Sequence, residues 1–120
     1  MKLLKLLFVL AVTAAASNTA SANDALNQYA TQLKKHTAQH VRYPRRAQER
    51  KWEGVVQLQV TIDAQGQVQN IQVLKESNYS SLNRAALRSV ESANPYPAIP
   101  AELGIDSYEF VVPINFKLSS

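Results

Sequence analysis

The stretch Ser107-Tyr108-Glu109-Phe110-Val111-Val112-Pro113-Ile114-Asn115-Phe116-Lys117-Leu118 decides how the chain folds. Tyr108, Phe110, Val112, Ile114, Phe116 and Leu118 take every second position, alternating with Ser107, Glu109, Val111, Pro113, Asn115 and Lys117. Apolar residues at strict period two predict a β-strand with one face on a core, because successive side chains of a strand point to opposite faces. Pro113 adds a second constraint. It has no N–H to give a ladder, so the strand belongs at a sheet edge with Pro113 turned away from the paired neighbour. Backbone direction also alternates, so Glu109, Val111, Asn115 and Lys117 offer their backbones to the same open side. Phe110, Val112, Ile114 and Phe116 pair inward. Glu109, Pro113 and Lys117 read as partial blocking of that edge. The functional alternative is β-augmentation, in which an extended peptide adds a strand.

Working outward from this strand, period two recurs at Val56, Leu58, Val60 and Ile62, with Gln57, Gln59 and Thr61 on the opposite face. Asp63-Ala64-Gln65-Gly66 is a turn in which Gly66 can take positive φ. Val68 to Leu74 returns as the second arm of a hairpin. Ile71 and Val73 share a face that Val68 does not, which predicts a bulge near Asn70. Elsewhere the spacing is helical. Leu26, Tyr29, Ala30, Leu33, Thr37 and Val41 predict a helix capped by Asp24 and stopping before Pro44. Pro44 suits the first turn of a short helix through Arg50, and Gly54 marks its exit into a strand. Leu82, Ala86, Val90 and Ala93 form the stripe of a third helix, capped by Ser80 or Ser81 and ended by Pro95. Pro97 and Pro100 keep the following stretch extended. The order helix, short helix, strand, strand, helix, strand predicts an α+β fold, a small three-stranded antiparallel sheet with helices packed on one face.

The N-terminus carries Lys2 and Lys5, then an apolar run from Leu6 to Ala16, then Ala20-Ser21-Ala22. This is the pattern of an export signal cleaved after Ala22, and the run is shorter than the ~20 residues a bilayer span needs. Residues 1–22 are therefore expected to be a signal peptide and 23–120 the mature domain, an uncleaved anchor being the alternative. Removing Lys2 and Lys5 leaves 11 basic and 9 acidic residues, a net charge of +2, which does not call for nucleic acid as partner. The chain has no cysteine, so neither disulfides nor cysteine-ligated metal braces the core.

Chemistry is sparse. His36 and His40 stand one helical turn apart and could share a metal, but offer two ligands where a closed site needs four; the sequence predicts boundary histidines and no metal. Arg42, Arg45, Arg46, Arg50 and Lys51 form a basic cluster, read as a solvated face or as an attraction for anionic headgroups or acidic peptide flanks. Trp52 and Tyr96 read as packing residues. There is no G-x-S-x-G elbow, P-loop, H-E-x-x-H or nucleophilic cysteine, and no pair of carboxylates suggests acid–base work. No enzyme and no cofactor are expected.

Taken in order, these segments resemble the C-terminal domain of the TonB family. Tyr43-Pro44-x-x-Ala47 looks like that family's Y-P-x-x-A, and Glu53-Gly54-Val55-Val56 like its E-G-x-V. Asp63 to Val68 resembles its D-x-x-G-x-V turn, and Leu82 to Leu87 its L-x-x-A-A-L helix. Pro95-Tyr96-Pro97 and the closing Pro113-Ile114-Asn115-Phe116-Lys117-Leu118 are similar to its P-F-P and P-I-x-F-x-L. The related TolA C-terminal domain is the competing family. The resemblance implies a periplasmic module whose last strand captures the TonB box, a short peptide of outer-membrane transporters for iron chelates or vitamins. Force would come from the inner-membrane motor ExbB and ExbD. Carried over by position, the peptide-binding edge is Val111, Pro113, Asn115 and Lys117, with Tyr43 and Pro44 close by. Family members that transmit force have a membrane anchor with a motor-contacting histidine and a Pro-rich spacer. The apolar segment here is short, holds no histidine and runs almost directly into the domain, so the expectation is peptide binding rather than independent force transmission. The second reading is an interaction module that forms a homodimer through the same edge.

The first prediction concerns the N-terminus: mass spectrometry of the exported protein should find Asn23 as the first residue. An intact Met1 would restore the anchor reading.

Overall fold

The computed structural model describes residues 23–118. The expected signal peptide lies outside the described residues.

Strands β1 (Gly54–Asp63), β2 (Val68–Lys75) and β3 (Ser107–Phe116) form one antiparallel sheet in the order β2-β1-β3. The helices are α1 over 23–38, α2 (Arg45–Glu49) and α3 (Ser80–Ala93). The alternation read in the sequence is what divides the sheet into faces. Val56, Leu58, Val60 and Ile62 of β1 and Phe110, Val112, Ile114 and Phe116 of β3 are buried. They pack with Tyr29 and Leu33 of α1 and with Leu82, Ala86 and Val90 of α3. Each such side chain gains about 1.5–3 kcal/mol from leaving water, more than the ~1 kcal/mol spanned by β-propensity, so the pattern fixes the faces. On the other face Val55 and Val111 remain exposed among Gln57, Pro113 and Asn115.

The predicted bulge is present. Thr61 pairs with Asn70 but Ile62 pairs with Val68, so Gln69 is the extra residue, and Val68 rejoins the half-buried face of Ile71 and Val73. A second shift, unforeseen, lies between Gln57↔Lys75 and Leu58↔Val73; it makes Leu74 extra, and Leu74 is exposed.

Three cap and boundary expectations are corrected. Residue 23 is already helical, so Asp24 lies within α1 and does not cap it. Helix α1 ends at residue 38, well short of Pro44, because the chain tightens there: His40 N–H donates to Thr37 O (3.0 Å) and Val41 N–H to Ala38 O (3.3 Å). The His40 Nδ1 also donates to His36 O at 2.9 Å, satisfying a carbonyl of the last turn. Helix α3 is preceded by Tyr79 with no side-chain cap, so neither Ser80 nor Ser81 caps it. The approach is held instead by Asn83, whose Oδ1 accepts from Ser77 N–H at 2.8 Å. The Pro-rich stretch after α3 also contains a short 3₁₀ turn, Ala101–Leu103, that no sequence pattern announced.

Helix α1 is tied to the end of α3 and the segment following it by three polar contacts. Tyr29 Oη donates to Pro97 O (2.7 Å), His36 Nε2 to Ala93 O (2.8 Å), and the Thr37 and Tyr96 hydroxyls bond at 2.7 Å. Burial pushes the Tyr29 phenol up to about 12, with Tyr108 adding to it. Burial also raises Tyr96, partly offset by its hydrogen bond with Thr37. Both phenols are therefore neutral donors across the physiological range.

Gly66 is required twice over. Its φ is +85°, and a Cβ there would sit 2.0 Å from Tyr96 O, while Tyr96 N–H donates to Gly66 O at 2.8 Å. Gly104, with φ +64°, has open space around it. Gly104→Ala is expected to cost only the left-handed strain, about 1–2 kcal/mol. Gly66→Ala should add an overpacking cost of a further ~1–3 kcal/mol. Urea unfolding of the two variants checks this; equal losses would show that the Gly66–Tyr96 approach carries no weight.

Candidate functional site

A three-stranded sheet has two free edges, and they differ. The β2 edge is broken by two register shifts and ends in Lys75, features that frustrate strand addition. The β3 edge is regular: ten consecutive residues, Ser107 to Phe116, pair with Asp63 to Gly54 without a shift. Pro113 stands opposite Gln57. Because proline cannot donate, that pair is a non-hydrogen-bonded one, and antiparallel alternation makes Val56↔Ile114 and Leu58↔Val112 the hydrogen-bonded pairs. The backbones of Glu109, Val111 and Asn115 then face outward, while their side chains lie on the exposed face.

Beside this edge runs a groove of about 500 Å³. One wall is β3 from Val112 to Asn115; the other is Lys34, Ala38 and Val41 with the buried Thr37 behind them. Lys34, Ala38 and Val41 recur at one-turn spacing, so a single side of α1 and its continuation looks along the edge. Sequence reasoning missed this wall. Lys34 reads as solvent face and Val41 as core, and nothing in a linear pattern says which edge strand a helix flank borders.

The remaining sequence-predicted residues are distributed around the end of β3. Lys117 lies one residue past the strand, where Leu118 N–H donates to Glu53 Oε2 at 2.8 Å. Tyr43 supports the strand from the core side: its ring meets Phe116 edge-on at 5.4 Å and its hydroxyl donates to Trp52 O. Desolvation, with the charge of Glu53 second, raises the Tyr43 phenol. Pro44 precedes α2 and faces a different cleft, between α1 and α3. The structure thus brings Val111, Pro113 and Asn115 to one edge, puts Tyr43 behind its end, and leaves Pro44 elsewhere.

The basic cluster is also divided. Arg45 pairs with Glu49 at 3.6 Å on an exposed helix face, an interaction worth little. The Arg50 guanidinium lies 5.2 Å over the Trp52 ring, which itself stacks on Tyr79 at 4.9 Å. Arg42 turns toward α3. The His36 and His40 rings are 4.9 Å apart, each with one nitrogen on a backbone carbonyl, and among the described residues no group of three potential ligands gathers around them. No described helix is long and apolar enough to cross a membrane.

Alternation at the edge has a direct readout. In hydrogen exchange, the amides of Phe110, Val112 and Ile114 should be protected and those of Glu109, Val111 and Asn115 should exchange fast. Uniform protection along β3 would mean that the edge is covered.

Comparison with known proteins places this geometry in context. Residues 39–118 match the family model described as "Gram-negative bacterial TonB protein C-terminal". Protein TonB of Pasteurella multocida is 30% identical over 100 residues, covering 83% of this chain and 38% of that protein. Protein TonB of Pseudomonas putida is 31% identical over 106 residues, covering 88% and 44%. The chain therefore spans less than half the length of these relatives. Among solved structures, the solution structure of Helicobacter pylori TonB-CTD residues 179–285 is 33% identical with a TM-score of 0.66, covering 78% of this chain and 84% of that one. The Pseudomonas aeruginosa TonB CTD is 30% identical with a TM-score of 0.53, covering 66% and 79%.

Proposed function

The chain belongs to the family of TonB C-terminal domains, and from that premise we propose that it is a periplasmic, non-enzymatic module that binds extended peptides by adding them to β3. The observation that carries this reading is the regular β3 edge with Pro113 excluded from its ladder and a groove alongside. An incoming strand would bond to the outward backbones of Glu109, Val111 and Asn115, each bond worth about 1 kcal/mol net. Its alternate side chains would turn toward Lys34, Ala38 and Val41, so affinity comes from backbone and selectivity from the groove. The peptide class the family resemblance implies is the TonB box of outer-membrane transporters, which makes the module part of TonB-dependent transport of iron chelates or vitamins. Any link to ExbB and ExbD is indirect.

The test is a titration of a TonB-box-like peptide into ¹⁵N-labelled protein. Saturable shifts are expected at Val111, Asn115 and Lys117. Methylating the peptide nitrogens that face β3, three of them, should weaken binding about 100-fold, at ~1 kcal/mol per lost bond. Methylating the alternate nitrogens should leave it unchanged. Shifts at β3 that depend on protein concentration and need no peptide would favour the homodimer, and silence in both would reject the edge as an interface.

A further inference from the structure

A second cleft, of about 700 Å³, opens between the end of α1 and the length of α3. One wall carries His40 and Arg42; the other carries Ser81, Arg84 and Arg88, spaced along one face of α3. Three arginines from two separate segments line the cleft, and no carboxylate does. Every Asp and Glu of the chain lies within the described residues, and among those residues the ion pair they form is Arg45–Glu49, on α2. Arg84 and Arg88 stand one turn apart on α3, a spacing at which like charges repel.

A second observation comes from a different kind of atom. The Ser81 hydroxyl is buried and has no hydrogen-bond partner, alone in this respect among the described side chains. A buried hydroxyl left unpaired is costly, so an isolated case calls for a missing partner. Ser81 lies in the first turn of α3, whose preceding residue provides no side-chain cap.

We propose that this cleft binds a phosphate ester. Guanidinium is planar and fork-shaped, and it pairs two N–H groups with two oxygens of an anion. Three such forks plus a hydroxyl supply more donors and more charge than one carboxylate can use, whereas a phosphate offers several oxygens and up to two charges. A volume of about 700 Å³ exceeds the needs of a bare ion and suits an ester with an organic group attached. The site is separate from the β3 edge and does not depend on peptide capture there.

Two sources share this chemistry, a free phosphate ester and an anionic phospholipid headgroup. The test uses the ¹⁵N-labelled protein in 150 mM salt, with glycerol 3-phosphate in one arm and phosphatidylglycerol vesicles, against phosphatidylcholine vesicles, in the other. Saturable changes are expected at Arg42, Ser81, Arg84 and Arg88 and not at Val111 or Asn115. R84Q/R88Q should weaken binding at least tenfold while its thermal midpoint stays level or rises, because the substitution relieves a repulsion. A response to glycerol 3-phosphate assigns the free ester, and a response to phosphatidylglycerol vesicles alone assigns the headgroup. No saturable change in either arm, an undiminished response in R84Q/R88Q, or equal changes with a pentaglutamate peptide would overturn the proposal.

Discussion

Strand β1 is hydrogen-bonded on both sides, and its core-facing Val56, Leu58, Val60 and Ile62 are wholly shielded from water. The rest of the structure is arranged around that strand. Its residues from Gln57 to Ile62 have partners in both β2 and β3, and their backbone hydrogen-bonding groups turn alternately to the two sides. The β2 side absorbs two extra residues, while the β3 side holds register over its full length. One edge is thereby irregular and the other is a clean template. A central strand of this kind cannot itself be an interface; it can only make one of its neighbours into an interface.

Helix α1 determines what surrounds that template. Its Tyr29, Leu33 and Thr37 are buried, and the bonds to Ala93, Tyr96 and Pro97 fix it to the end of α3 and the segment following it. Held there, it turns one flank to β3 and leaves its end facing α3. The β3 groove and the arginine cleft thus lie on two sides of the same element. Their chemistries differ for a physical reason. An edge would bind through backbone polarity that any extended peptide shares, whereas arginines lining a cleft would bind through charge and fork geometry.

Much of the fold was legible because it rests on periodicity. The alternation from Tyr108 to Leu118 and from Val56 to Ile62 gave the core face, the broken alternation after Val68 gave a bulge near Asn70, which the structure puts at Gln69, and Pro113 gave the edge. Caps were less legible. Asp24, Ser80 and Ser81 have the right chemistry for caps, yet the backbone before α3 is held by Asn83 acting on Ser77, a contact between residues six apart. The end of α1 was misread because no proline or glycine stops it; His40 does so by bonding to His36 O. The basic cluster read as one surface from residue 42 to residue 51 has no unity in space.

By itself the sequence determined which residues face the core, that the last strand must be an edge, and which backbones that edge leaves open. Those follow from period two and from a missing N–H, both local properties of the chain. Tertiary structure alone decided that Lys34, Ala38 and Val41 border the edge, that Pro44 does not, and that Arg42 lines one cleft with Arg84 and Arg88, some forty residues away. Such meetings are set by how α1 and α3 pack on the sheet, a long-range outcome that no short window of sequence contains.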